Sequence, residues 1–462
     1  MRPAEEHPRP AAPKRNFGEI ASALADRALL FLFSASLLLI PCVVAITGND
    51  VFRSPKELAF RAAAIILIAA VACCLLLRIR TVVSRPPGRL TLGLTGAIVG
   101  WTAISAVFST NVPLSLNSLA TVIASAVLFL LAVMLLRERP LGAVLLCALP
   151  AGANAVVSLC QYFAIWRPFT IVYERHDVTQ AVGKLSMSGF VGSPNDIGMV
   201  TVLPALATIV LTIVAKEKRL RAMGAGMSAL LVAALFASQS VTAIGAFVVA
   251  VWALLFLALP RRGGIVVAAG TALLIVAMFG YAPLRERFAS IGQRMKDRQY
   301  NQMLAGRLQP YMAAANMFAD RPLLGTGPGT FHWHYMPYRV EIGRKHPELF
   351  IMPGPAIQNF GEAHNDHLEV LAETGLPGYL LLLATLILLA RPSFRRRAIP
   401  SGAADGEDAP AETAQFTRLF ALPFVAGFAT LALAQFPLQI AAARLIYLSL
   451  AALIVAWSAT DE

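Results

Sequence analysis

Two histidines lie in a short polar segment that immediately precedes a long apolar stretch. They are His364 and His367, in the segment Glu362-Ala-His-Asn-Asp-His-Leu. Their spacing places both on one face of a helix that begins near His364. The positive end of a helix disfavours imidazolium, so we expect a neutral imidazole near physiological pH. Because such a group can take a proton from a hydroxyl nucleophile, His364 is the candidate catalytic base.

A zinc site is the main alternative use of these histidines. His332 and His334 form a second close pair, and clustered histidines can bind metal. The two pairs are far apart in sequence, however, and the chain has no His-Glu-x-x-His motif. All five cysteines fall in apolar stretches, so no thiolate site is indicated. We therefore expect neither a metal nor a cofactor.

Three arginines are candidates for binding a diphosphate, because a planar guanidinium can form bidentate hydrogen bonds with two phosphate oxygens. Arg307 precedes a run of apolar residues that is expected to be helical. Arg444 lies inside an apolar stretch, where a charge usually has a function, although its side chain can also extend to the lipid headgroups. Arg175 lies in a polar segment, and exposure to solvent is the competing interpretation there.

Further candidates for contacts with the acceptor, or for shaping the site, are glycines and amides. Gly325 and Gly327 belong to Pro322-Leu-Leu-Gly-Thr-Gly-Pro-Gly-Thr-Phe, which resembles a phosphate loop. No strand precedes it and its proline lacks a backbone donor, so a tight turn is predicted instead. Asn365 and Asn195 lie near helix starts, and for Asn195 helix capping is the alternative to a sugar contact.

The elements that must position these residues are membrane helices. The chain has 462 residues, of which 57% are hydrophobic and 14% charged, as is typical of a polytopic membrane protein. We predict an all-α bundle of about 12 transmembrane helices, with a large loop before the tenth. The predicted spans are 29–47, 58–77, 90–108, 118–136, 141–163, 195–215, 222–238, 242–259, 264–282, 367–390, 416–435 and 441–458.

The distribution of basic residues predicts the orientation. Short loops on the side of the N-terminal tail are rich in Lys and Arg, whereas the opposite short loops hold only Arg53 and Lys56. Both termini are therefore assigned to the cytoplasm and the large loop to the outer face. The net charge of +13 is spread over separate loops, which argues against a nucleic-acid partner.

The predicted organisation has four parts. Residues 1–28 form a disordered cytoplasmic tail, residues 29–282 hold spans one to nine, and residues 283–366 form the large outer loop. Residues 367–462 hold spans ten to twelve, with a cytoplasmic linker at 391–415. The first part of the outer loop, 283–317, is predicted to be helical.

Several of these motifs together resemble the O-antigen ligase and polymerase superfamily. They are Pro322-Leu-Leu-Gly-Thr-Gly-Pro-Gly-Thr-Phe, His364-Asn-Asp-His-Leu, Glu373-Thr-Gly-Leu-Pro-Gly and Gly189-Phe-Val-Gly-Ser-Pro-Asn. The twelve-span layout with its large loop is also similar. The resemblance covers most of residues 185–460.

The resemblance implies a membrane glycosyltransferase of surface polysaccharide assembly, such as lipopolysaccharide or exopolysaccharide, in the bacterial inner membrane. The donor would be a glycan on undecaprenyl diphosphate, and the acceptor another glycan or lipid A core, joined on the periplasmic face with inversion. His364 matches the family's base, and Arg307 matches the arginine expected to hold the diphosphate. The family's second arginine corresponds to Val241 here, which leaves ligase and polymerase open.

Two other functions are kept as alternatives. A protein O-oligosaccharyltransferase would use the same chemistry with a protein hydroxyl as acceptor. A polysaccharide flippase or transporter would also fit twelve spans, but it predicts ionisable residues at mid-membrane, and the sequence shows almost none there.

Overall fold

A computed structural model provides the fold. It describes most of the chain, and the helices and contacts reported below all belong to this part. The described residues are 17–45, 50–166, 187–259, 264–265, 268–272, 289–290, 292–297, 299–304, 306–347, 360–395 and 408–458.

The described residues confirm an all-α membrane bundle. Eleven of the helices in this part of the chain are long and apolar enough to cross a membrane. The predicted ninth span, 264–282, falls largely outside the described residues. The helices are α1 (Phe17–Leu39), α2 (Ser54–Leu76), α3 (Arg89–Val107), α4 (Val112–Leu136), α5 (Gly142–Tyr162), α6 (Pro194–Val214), α7 (Lys218–Ser238), α8 (Val241–Ala258), α9 (Tyr300–Met303), α10 (Leu308–Asp320), α11 (Phe331–Lys345), α12 (Asp366–Ala390), α13 (Asp408–Ala432) and α14 (Ala441–Ser458).

The centre of the bundle is built around α6 and α14, which are buried along most of their length. Both are rich in Ala, Val and Leu, which pack closely and have no polar side-chain groups to satisfy in lipid. Helix α6 packs against α5, α7, α8 and α13, while α14 packs mainly against α4. Helices α2 and α3 are the outer members, with most of their apolar side chains facing away from the core.

The predicted tail and the predicted linker both include residues that are helical in the structure. Helix α1 begins at Phe17, so residues 17–28 are helical although they were predicted to end the disordered tail. Phe17, Ile20 and Leu24 continue the helical spacing of apolar residues into this segment. At the other end, α13 begins at Asp408, so the last part of the predicted linker 391–415 extends a membrane helix.

A small helical cap covers one end of the bundle, which we call the site end. It consists of α10, α11 and the first part of α12, packed around Ala313, Met317, Phe331 and Tyr335. The helix predicted over 283–317 is interrupted, because Gly306 has a φ of +81° between α9 and α10. Residues 283–288 of that prediction lie outside the described residues.

The start of α2 is fixed at the same end of the bundle. Lys56 is buried, and its ammonium donates hydrogen bonds to the carbonyls of Val43, Phe52 and Phe190. These carbonyls lie before α2 and before α6, so one side chain joins two connecting segments. As a result Arg53, the residue directly before α2, is held close to the beginning of α6.

Candidate active site

His364 lies two residues before Asp366, the first residue of α12. Its backbone has a φ of +54°, a conformation that residues other than glycine rarely adopt. The next residue, Asn365, is the N-cap of α12, and its side-chain oxygen accepts a hydrogen bond from the Leu368 N–H at 3.0 Å. The structure therefore places Asn365 as a helix cap beside the candidate base.

Two aromatic rings enclose the imidazole of His364. The ring of Phe360 lies 5.4 Å away between centroids and that of Phe436 lies 4.7 Å away, both nearly perpendicular to it. Burial, with the positive charges of Arg307 and Arg53, lowers the pKa of His364 from 6.5 to about 4. The imidazole is thus neutral at physiological pH, for a different main reason than the helix terminus invoked from the sequence.

Arg53 is a candidate site residue that the sequence analysis missed. Its guanidinium forms an ion pair with Glu362 at 3.0 Å, lies 3.7 Å from Asp196, and stands 5.1 Å from the centroid of Phe436. Phe436 therefore touches both Arg53 and His364. The signal in the sequence was that Arg53 and Lys56 are the only basic residues in the short loops of the predicted outer face.

Arg307 lies directly before α10 and is half-buried. Its charge acts on His364 and also on Tyr311, one helical turn along α10. The hydroxyl of Tyr311 donates to the carbonyl of His364 and is also placed to donate to that of Leu433, each at 3.3 Å. Tyr311 thus ties the helix that follows Arg307 to the backbone of the candidate base.

Arg444 makes its contacts with other residues than Arg53, Arg307 and His364. It is 7% exposed, forms an ion pair with Glu57, donates to the Leu438 carbonyl at 2.9 Å, and lies over the ring of Phe60. Glu57 is shared with Arg61, which also bonds to Thr121 and Asn117. These contacts give Arg444 a structural role that joins α14 to α2.

The other predicted site residues have separate positions. His367 is the second residue of α12, and its Nε2 is 3.2 Å from the Ala429 carbonyl while its ring meets Tyr379. Asn195 is exposed at the start of α6, but the helix cap there is Ser193, whose hydroxyl accepts from the Asp196 N–H. Arg175 lies outside the described residues.

Gly325 and Gly327 form a tight turn against α12. Their φ values are +70° and +112°, and a Cβ at either would lie within 2.3 Å of neighbouring atoms. The Gly327 N–H donates to the Glu373 carbonyl, and the N–H groups of Gly329 and Phe331 donate to its carboxylate. This glycine loop therefore cradles a carboxylate of the same chain, in the way that other glycine loops cradle a phosphate.

A row of buried carboxylates on α12 was also missed. Asp366, Glu369 and Glu373 are each 7% exposed or less, at a spacing that keeps them on one side of the helix. Each accepts backbone N–H groups from a different segment: Leu438 for Asp366, Ala363 for Glu369, and Gly329 with Phe331 for Glu373. Their spacing in Asp366-His-Leu-Glu-Val-Leu-Ala-Glu373 was the available signal.

The histidine pairs considered for zinc do not form a cluster in the described part of the chain. No group of three or more His, Cys, Asp or Glu residues there is arranged to hold a metal ion. His334 instead bonds through Nε2 to the hydroxyl of Thr110 at 2.6 Å, across to the end of α3. His364 lies apart from it, between two aromatic rings.

A known protein family matches a segment that contains part of the candidate site. Residues 226–383 match the family model described as O-antigen ligase. This match supports the resemblance to the O-antigen ligase and polymerase superfamily. Among curated proteins, none matches the chain. The superfamily indicates a membrane protein of glycan transfer, with a ligase-like or polymerase-like activity.

The matched segment contains part of the candidate site. His364, Arg307 and the turn at Gly325 and Gly327 all fall inside it. Arg53 and Phe436 fall outside it, directly before α2 and between α13 and α14. The O-antigen ligase segment is therefore completed by residues from both ends of the chain.

Proposed function

We propose that this protein transfers a glycan from a polyprenyl diphosphate to an acceptor hydroxyl, with His364 as the general base. The observation that carries the proposal is the convergence of a neutral, half-buried imidazole with Arg53 and Arg307 in a chain of this superfamily. A neutral imidazole can accept the proton of a hydroxyl, and two guanidinium groups can stabilise the departing anion.

The reaction would be a single displacement at the anomeric carbon of the donor sugar. The acceptor oxygen forms the new glycosidic bond while its proton moves to the imidazole of His364. The bond between the anomeric carbon and the diphosphate breaks, and the diphosphate leaves with both bonding electrons. Arg307 and Arg53 would stabilise that negative charge. Attack opposite the leaving group inverts the anomeric centre.

An apolar groove supports a donor carried on a long hydrocarbon chain. It has a cavity volume of about 320 Å³ and runs along α3, α4, α12, α13 and α14. Its lining includes Leu438 near the candidate site and Ser458 at the far end of α14, so it follows the whole length of that helix. A chain lying there would bring its diphosphate to the site end of the bundle.

The proposed setting is the bacterial inner membrane, with both termini in the cytoplasm and the site end facing the periplasm. The enrichment of Lys and Arg in the opposite loops supports this orientation. We propose another glycan or lipid A core as the acceptor, in lipopolysaccharide or exopolysaccharide assembly. Arg53 is our candidate for the second guanidinium, since Val241 occupies the position of the family's second arginine.

The proposal can be tested by deleting the gene in the source organism. We expect the lipid-linked glycan to accumulate and the surface polysaccharide to be lost or shortened. Wild-type protein should restore both, and a stably inserted His364→Ala variant should restore neither. Lipid A core without an attached chain would identify a ligase, whereas single attached repeats would identify a polymerase. Unchanged lipid-linked glycan and surface polysaccharide in the deletion strain would refute the proposal.

A further inference from the structure

The orientation of His364 is not set by a side chain that bonds to its Nδ1. This atom is buried and has no hydrogen-bond partner among the described residues. In many enzymes a carboxylate accepts from the second imidazole nitrogen and so fixes the ring. In this protein another contact has to hold His364 in place.

We propose that Glu369 is the positioning residue for His364 and that it acts through the backbone of Ala363. This inference rests on the proposed role of His364 as the base. The carboxylate of Glu369 accepts the Ala363 N–H at 2.8 Å. Both residues are almost fully buried, at 3% and 0% exposure, so water does not compete for the bond.

The hydrogen bond lies directly beside a strained backbone. His364 has a φ of +54°, and such a conformation persists only when its surroundings hold it. Glu369 fixes the residue before His364, while Asn365 fixes the residue after it by capping α12. The residues on both sides of His364 are therefore each tied to the same helix.

A second carboxylate of this helix holds one of the enclosing rings. Asp366 accepts the Leu438 N–H at 2.9 Å, two residues after Phe436. Phe436 is 3% exposed and meets the imidazole edge to face. Asp366 therefore helps to position Phe436 beside the imidazole, whereas Glu369 positions the backbone next to His364.

Packing alone does not explain a glutamate at position 369. Burying a carboxylate is unfavourable unless its hydrogen bonds compensate, and an apolar residue would fill the same space at a lower cost. The Ala363 N–H is the bond the structure shows for it. This hydrogen bond explains why a glutamate at position 369 is useful, since it holds the backbone next to His364.

The test uses two substitutions that separate hydrogen bonding from charge. Glu369→Gln keeps an oxygen that can accept the Ala363 N–H but removes the charge. Glu369→Asp keeps the charge but withdraws the carboxylate by one methylene group. Exposed Glu341→Gln, on α11, is the matched control. Each protein is assayed with membranes of the deletion strain, which supply donor and acceptor, and its thermal midpoint in detergent is recorded.

We expect Glu369→Gln to stay close to wild type and Glu369→Asp to lose turnover by up to about a hundredfold, because small misplacements of a base are costly. The KM for the donor should change little. The acid limb of the pH profile of Glu369→Asp should move to higher pH, because a loosened His364 is less buried between Phe360 and Phe436. The charged groups that act on it are Arg307 and Arg53, of which Arg53 is paired with Glu362.

Two outcomes would overturn the inference. One is wild-type turnover in a folded Glu369→Asp protein, and the other is a large loss of turnover in a folded Glu369→Gln protein, which keeps an oxygen that can accept the Ala363 N–H. If Glu369→Asp does not fold, loss of activity in a folded Glu369→Gln protein would overturn it, and retention would support it. An inactive wild type, or an active His364→Ala variant, would instead refute the proposed function.

Discussion

The imidazole of His364 meets the ring of Phe436 edge to face, with 4.7 Å between centroids and 84° between planes. Arg53 lies over the same phenyl ring, 5.1 Å from its centroid. Phe436 therefore lies between the candidate base and a guanidinium from the residue directly before the second helix. Burial against this ring and the positive charge of Arg53 both favour the neutral imidazole. This arrangement leads to several predictions.

The first prediction concerns pH. Since the pKa of His364 is lowered to about 4, the base stays deprotonated as the pH falls from 7.5 to 5.5. Transfer activity should change by less than about twofold over this range, whereas a base with an ordinary pKa near 6.5 would lose about tenfold. Activity should fall only as the pH approaches 4. An acid limb centred near 6.5 would contradict the assignment.

The second prediction concerns the aromatic enclosure. Phe436→Ala opens one side of the imidazole to water, which removes part of the burial that lowers its pKa. The acid limb of activity should therefore move towards 6.5. Phe424→Ala, in a different aromatic contact on α13, is the control and should leave the limb in place. An unchanged limb in Phe436→Ala would show that the ring does not control the base.

The third prediction concerns the two arginines. Arg53→Gln and Arg307→Gln should each reduce kcat/KM for the lipid-linked donor by about 10- to 100-fold, as expected for a lost charge-assisted hydrogen bond. Replacement by Lys should recover only part of the loss, because an ammonium cannot donate two parallel hydrogen bonds to the phosphate oxygens as a guanidinium does. Arg85→Gln, an exposed residue paired with Glu138, is the control. Full activity in both glutamine variants would exclude these arginines from donor binding.

The fourth prediction concerns the ion pair between Arg444 and Glu57. Arg444→Met leaves Glu57 without its buried partner, so we expect a loss of about 3–5 kcal/mol in the free energy of unfolding. The double variant Arg444→Met with Glu57→Gln should recover much of this stability. Thermal unfolding in detergent measures both. If the double variant recovers its stability but stays inactive, Arg444 acts in catalysis as well.

The fifth prediction concerns the glycine turn. Gly327→Ala places a Cβ 2.0 Å from the Ser109 hydroxyl at a φ of +112°, so the turn cannot keep its contacts with α12. We expect the variant to be poorly inserted or destabilised by at least about 1–3 kcal/mol. Gly226→Ala, which has open space around its Cβ, should behave as wild type. A stable Gly327→Ala protein would show that the turn is not required.

The membrane helices could be predicted from the sequence because apolar length and charge are local properties. The last span, predicted at 441–458, has the same bounds as α14, and the sixth differs from α6 by one residue at each end. The first helix was less accurate, since its polar start at Glu19 and Asp26 resembled a tail.

The site could be predicted only where its residues are close in sequence. His364 and its helix start were visible in one motif. Arg53 pairs with Glu362 across 309 residues, and Arg444 pairs with Glu57 across 387, so neither partner has a local signal. The low pKa of His364 likewise depends on Phe436 and Arg53, which reach it only through the tertiary fold.

The most direct test of the central claim is a transfer assay with purified protein. Membranes from the deletion strain provide the accumulated lipid-linked glycan and its acceptor, and wild-type or His364→Ala protein is added in lipid nanodiscs. The release of polyprenyl diphosphate and the formation of the extended glycan are measured together. We expect both with the wild type, and a loss of at least about a hundredfold with His364→Ala. Equal release by the two proteins would contradict the account.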